Sequence, residues 1–227
     1  MNREGGANAR LPNKPLKLTA ASRPQLSAYS LDRLQTMDHA TAYAAVSALA
    51  QRDGSPRPAF EAVVDFLEAQ TSAAYFRAIR RVSVERDVAS LRDEVARILE
   101  EEPPPASIAA YYFGLFDAAD DAGKEVCGFY IAGVDKLDPE ADDFLCDPPW
   151  FPESRFLESE VLTALKEAEL VARSKRAEHG SFIGYAGQLG IAMVLARFAR
   201  SSLPAAAPIV VGFDDGDFVV LDTPAAD

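Results

Sequence analysis

Histidine and cysteine are nearly missing from this chain. Its 227 residues include two of each and a single tryptophan. Cys127 and Cys146 cannot make a disulfide framework or a four-ligand zinc site by themselves. So few thiols suit a reducing compartment, and the expected location is the cytoplasm, with both thiols free. No apolar run approaches the roughly 20 residues that cross a bilayer, and the basic residues near the start lead into no apolar stretch of the kind a secretory signal needs. Positive charge is short as well. The chain carries 23 Lys and Arg against 35 Asp and Glu, a net of −12. That balance argues against nucleic acid and against anionic membranes as partners. G-x-S-x-G, H-E-x-x-H, P-loop and C-x-x-C patterns do not occur, so no catalytic constellation or cofactor is indicated. A Cys146–His179 pair is conceivable across the fold, but two isolated residues specify nothing.

The charge is unevenly placed. Residues 1–36 hold Arg3, Arg10, Lys14, Lys17, Arg23 and Arg33 against Glu4 and Asp32, leaving the remainder at −16. Within this basic stretch, "LPNKPLKLTAASRPQLSAYSLDR" (Leu11–Arg33) keeps no helical or strand period. Its segment "NKPLKLTAAS" (Asn13–Ser22) resembles the translated read-through of the recombination sites that flank mobile gene cassettes of the integron type. The resemblance covers about a tenth of the chain. It implies that residues 1–36 are non-coding DNA read in frame, that translation begins at Met37, and that the body is a small bacterial accessory protein carried as cassette cargo. Asp38 as an N-cap before a helical pattern fits that start. A genuine flexible tail is the alternative that composition equally allows.

From residue 37 to residue 102 the apolar period is helical. Tyr43, Val46, Leu49 and Ala50 form one stripe. Phe60, Val63, Val64 and Leu67 form the next. Tyr75, Phe76 and Ile79 start a third, and Val84, Val88, Leu91, Val95 and Ile98 a fourth. "EEPPP" (Glu101–Pro105) stops this run. "IAAYYFGLF" (Ile108–Phe116) and "VCGFYIAGV" (Val126–Val134) then read as a central β-hairpin, apolar on both faces. Gly114, Gly128 and Gly133 weaken those strands unless something approaches them closely. Ser154 is expected to cap a long helix through Leu157, Val161, Leu165 and Ala168, with Gly180 closing it. A further helix follows over about Phe182–Arg200, and "PIVVGF" and "FVVL" make a second hairpin. The fold class is α+β: an antiparallel sheet of about four strands with helices on one face. A helical subdomain (37–102) precedes the α+β core (106–227) in a single globular unit.

Three features are candidates for function. "DKLDPEADDFLCDPPWFP" (Asp135–Pro152) concentrates acids, prolines and the tryptophan. Its spacing fails the EF-hand pattern: from Asp135 or Asp138 the sixth position is Glu140 or Asp143, where a glycine is needed. Asp138, Asp142, Asp143 and Asp147 remain candidates for a loose cation site or, with Trp150, for a rigid acidic loop presented to a basic partner. If Trp150 is fully buried, the stretch becomes a structural corner. Gly184, Gly187 and Gly190 in "GYAGQLG" imply close approach of a backbone or of a ligand, with Tyr185 beside them. "RAIRR" (Arg77–Arg81) reads as a solvated helix face or a phosphate grip.

The resulting expectation is a non-enzymatic binding or accessory protein, such as an immunity-type inhibitor that masks a basic partner surface. The alternative is a small-molecule or metal-dependent enzyme with its site between the acidic loop 135–152 and the glycine-rich helix 182–200.

Overall fold

The computed structural model describes residues 39–71, 77, 79–119, 123–138, 147–174, 180–204, 206–213 and 217–221. Residues 1–36, Met37, Asp38, Asp142, Asp143, Cys146 and His179 lie outside them. The described elements are helices α1 (His39–Ala50), α2 (Pro56–Thr71) and α3 (Val84–Glu101), strands β1 (Ala110–Ala119), β2 (Glu125–Val134) and β3 (Phe156–Glu158), helices α4 (Glu160–Ser174) and α5 (Gly180–Ala199), and strands β4 (Ile209–Phe213) and β5 (Phe218–Leu221). The fold is α+β.

The helical stripes face inward. Phe60, Val63, Val64, Leu67, Val84, Val88, Leu91, Val95 and Ile98 are all buried. They join α5 and one face of the sheet in a single hydrophobic cluster. From Ala186 to Ala199 helix α5 is buried except at part-buried Gln188, Arg197 and Phe198, and a helix so largely enclosed is apolar round most of its circumference. It packs on α1, α2, α3, α4 and β4. One glycine of "GYAGQLG" explains part of that closeness. A Cβ on Gly190 would lie 2.8 Å from Val46 Cβ and 3.0 Å from Val63 Cγ1.

The sheet meets the expectation roughly, with two differences. It has five strands, in the order β3-β2-β1-β4-β5, and it is mixed: β1 and β4 run parallel. Both hairpins form antiparallel, as the patterning indicates. The outer edge of β2, however, is taken by β3. The second hairpin therefore joins the free edge of β1, where α5 delivers it in the parallel sense.

The long helix starts later than expected, because Phe156–Glu158 is strand. Leu157 sits opposite Phe129 and is buried in the core. Ser159, not Ser154, caps α4, accepting a hydrogen bond from the Leu162 amide at 3.1 Å. Asp87 of α3 completes this cap. Its buried carboxylate accepts from Glu160 N at 3.0 Å, Val161 N at 3.2 Å and Ser159 Oγ at 2.6 Å. Burial raises its pKa despite those donors. Gly180, expected to end the first helix, begins α5.

The sheet's other face carries a separate small cluster: Ala110, Tyr112, Ala132, Val134, Val210 and Phe218, with Tyr130, Leu137 and Val220 against it. Among the described residues, none in this cluster comes from a helix. Helices cover one face of the central hairpin; on the other, its side chains pack among themselves and against Val210, Phe218, Val220 and Leu137.

Candidate functional site

The segment after the acidic loop returns along the outer edge of β2, and Glu102 moors it there. The Glu102 backbone N–H closes α3 on the Ile98 carbonyl. Its carbonyl accepts the Trp150 indole N–H at 2.8 Å. Its carboxylate accepts Glu153 N at 2.8 Å, Ser154 N at 3.0 Å and the Ser154 hydroxyl at 2.8 Å. These donors, the Ser154 amide foremost, hold its pKa below the ordinary glutamate range. "EEPPP" is thus more than a helix stop.

Trp150 is 6% exposed and meets Tyr111 edge-on, with ring centroids 5.9 Å apart. Its backbone exchanges hydrogen bonds with Gly133. It is an anchor, which corrects its place among the contact residues. The exposed aromatics flank it in sequence instead. Phe151 is 48% exposed and Phe156 52%.

A local misfit between strands puts them at the surface. Between the Gly133–Trp150 bridge and the Tyr130–Phe156 pair, the edge segment holds residues 151–155 while β2 supplies only Ile131 and Ala132. The surplus loops outward, as extra residues in an edge strand do, and re-aims its side chains. Pro152 within it is buried and, lacking an N–H, gives the ladder no donor at that position. Arg155 lies between the two rings, its guanidinium carbon 4.1 Å from the Phe151 centroid and 4.7 Å from the Phe156 centroid.

Further rings extend the patch. Phe156 meets Phe116 at 5.2 Å, Phe151 meets Tyr130 at 5.9 Å, and Tyr130 meets Tyr112 at 5.6 Å, all close to edge-on. The glycines of the hairpin make room for this arrangement. A Cβ on Gly114 would sit 2.2 Å from the Tyr130 ring, and one on Gly128 1.9 Å from the Leu157 carbonyl oxygen. The close approach expected at both glycines is present. At Gly133 the neighbour is the Ile108 side chain, at 3.0 Å.

The candidate residues are dispersed. Asp138 pairs with Lys136 at 3.6 Å. Asp147 is exposed and lines a 280 Å³ cavity with Tyr112, Tyr130, Ala132, Val134, Pro148 and Phe151, on the face where no helix packs among the described residues. Tyr185 stands on the other face, stacked edge-on against Phe213 at 5.6 Å. It borders a separate 330 Å³ cavity with Asp117, Cys127, Lys166, Glu169 and Gln188. Asp147 and Tyr185 line different cavities, while Asp142 and Asp143 of the expected site lie outside the described residues. Among the described residues, no group of three His, Cys, Asp or Glu side chains is placed to hold a metal ion. Arg80 of "RAIRR" is engaged by Glu61, Asp65 and Glu68.

The Tyr185 cavity is polar but poor in nucleophiles. Cys127 Sγ donates to Asp117 Oδ1 at 3.0 Å. Burial, and then that carboxylate, push the thiol far up, so the thiolate that reactions require is not formed near neutrality. Burial pulls the Lys166 ammonium down, but its ion pair with Asp117 outweighs this and the net shift is upward. Both side chains are therefore in their protonated, weakly nucleophilic forms at neutral pH.

Sequence reasoning missed Glu102, Tyr112, Tyr130, Arg155 and Phe156. The readable signal was "FPESRF" (Phe151–Phe156), an arginine set among aromatics beside prolines. No protein-family model, curated protein or solved structure matches the chain. Among the described residues no helix is long and apolar enough to cross a membrane.

Proposed function

We propose that this is a cytoplasmic binding protein of the immunity or inhibitor type, which masks a basic surface of a protein partner. The observation that carries the reading is the Phe151–Arg155–Phe156 stack. Two half-exposed rings project from the sheet edge with a partly buried guanidinium between them that donates to the Pro152 carbonyl, and Trp150 and Glu102 hold the segment from behind. Aromatic residues and arginine on a rigid support are what the centre of an interface is made of. Asp147, Glu153 and Glu158, all exposed, form an acidic rim. The net charge of −12 adds long-range attraction for a basic partner. The test is a pull-down from the source cytoplasm with the chain started at Met37, run beside Phe156→Asp. A basic protein retained by the unaltered chain and lost by a folded Phe156→Asp supports the reading. Equal retention by both overturns it.

A second reading rests on the Tyr185 cavity. Asp117 and Phe213 lie near the carboxyl ends of β1 and β4, the parallel pair, where open sheets commonly bind ligands. With thiol and amine both protonated, this reading is one of small-molecule binding rather than covalent catalysis. A metabolite panel that raises the melting temperature of the protein, but not of Lys166→Met, would support it.

A further inference from the structure

The 280 Å³ cavity behind Phe151 has the chemistry of a cation receptor. Tyr130 stands at 69° to Tyr112 and at 85° to Phe151, so it meets each of them edge-to-face, and all three rings line the cavity. Aromatic faces attract cations through their quadrupole, and boxes of such rings recognise ammonium groups. Asp147 supplies a carboxylate on the same lining. One ring of the lining, Phe151, already holds a cation, since Arg155 stacks on it and on Phe156 without itself lining the cavity.

The lining is preformed. The Tyr112 hydroxyl donates to the Phe213 carbonyl at 3.1 Å. The Tyr130 ring lies over Gly114, where any side chain would displace it. At the mouth, Phe151 and Asp147 are exposed, while Tyr112, Ala132 and Val134 form the buried floor.

We infer that this cavity receives the ammonium group of a lysine side chain on the partner protein. The inference rests on the binding function proposed above and names the group recognised. Lysine is preferred to arginine on shape. A guanidinium is planar and stacks flat on one ring, as Arg155 does, whereas an ammonium is compact and suits rings that surround it. The acidic rim and the net charge of −12 favour the same partner chemistry.

The test uses the full chain and three short peptides of the form acetyl-(Gly-X)3-amide, with X lysine, arginine or norleucine, followed through the tyrosine ring signals by NMR. The lysine peptide is expected to shift the Tyr112 and Tyr130 rings, the arginine peptide to shift them less, and the norleucine peptide not at all. Asp147→Asn is expected to weaken the lysine peptide by about fivefold. Gly114→Ala, which pushes the Tyr130 ring aside, is expected to weaken it similarly, with thermal unfolding confirming that each variant is folded. Equal shifts from lysine and norleucine overturn the inference, as does unchanged binding in a folded Asp147→Asn. If the lysine peptide binds but is weakened only by Phe156→Ala, with both tyrosines silent, the contact surface stands and the lysine pocket falls. If the peptide moves no aromatic signal, the pocket falls, and the contact surface is then decided by the partner experiment.

Discussion

Trp150 and Phe151 are neighbours with opposite tasks. The indole is buried and spends its only donor on the Glu102 carbonyl, while the next ring faces solvent. Trp150→Phe keeps most of the packing but leaves that carbonyl unpaired. It should cost about 1–3 kcal/mol in denaturant unfolding, with little change in peptide or partner binding once folded. Glu102 adds a pH dependence of definite sign. Its folded pKa lies below the ordinary glutamate value of 4.5. Its contribution is therefore complete above that value and is lost as pH falls through the lower, folded one. Acid titration should release the 150–155 segment, seen as a red shift of Trp150 fluorescence. Glu102→Gln should remove that acid-induced step, and its persistence in the variant would refute the role given to this carboxylate. The Trp150 indole itself is legible in sequence as an anchor or as a contact. Only its buried environment chooses between them.

Among the elements, β3 matters most and was least visible. Three residues give no period, and "RFLESEVLTAL" continues a helical pattern through Leu157, Val161 and Leu165. The strand exists because Leu157 finds Phe129 across the edge of β2. Local propensity cannot register a partner 28 positions away in the sequence. Gly128 makes the pairing possible. Gly128→Ala would place a Cβ 1.9 Å from the Leu157 carbonyl oxygen, a backbone atom with nowhere to go. We expect β3 to detach, a loss of about 1–3 kcal/mol in unfolding measurements, and loss of partner binding through Phe156. Gly190→Ala supplies the contrast. It meets Val46 and Val63 in the helical layer, so it should cost comparable stability yet leave binding intact in the fraction that folds. The stripes of α1, α2 and α3 were legible, by comparison, because each is set by its own 3.6-residue period.

For the whole molecule, charge and apolar surface divide the work. Sixteen surplus acids on residues 37–227 make an attractive field for a basic protein, and the aromatic patch gives the contact its short-range strength. Association with such a partner should slow by about tenfold or more between low and high ionic strength, while dissociation changes less. Stopped-flow measurements over a salt series would show this, and a salt-independent association rate would contradict it. The two faces of the sheet also differ. One is sealed by α5 and the helices around it, and the other carries the second cluster, the cavity with Asp147 and the exposed rings.

The sequence by itself determined the acidity, the α+β class, the helical stripes, both hairpins and the need for close approach at the hairpin glycines. All of these follow from composition or from periods within about a dozen residues. Tertiary structure alone decided the parallel pairing of β1 with β4, the strand at Phe156–Glu158 and the separation of Asp147 from Tyr185. It also decided which aromatic of "PPWFP" is seen from outside. Each of these depends on which distant segment occupies a sheet edge or a buried carbonyl, and such competition leaves no local mark on the chain.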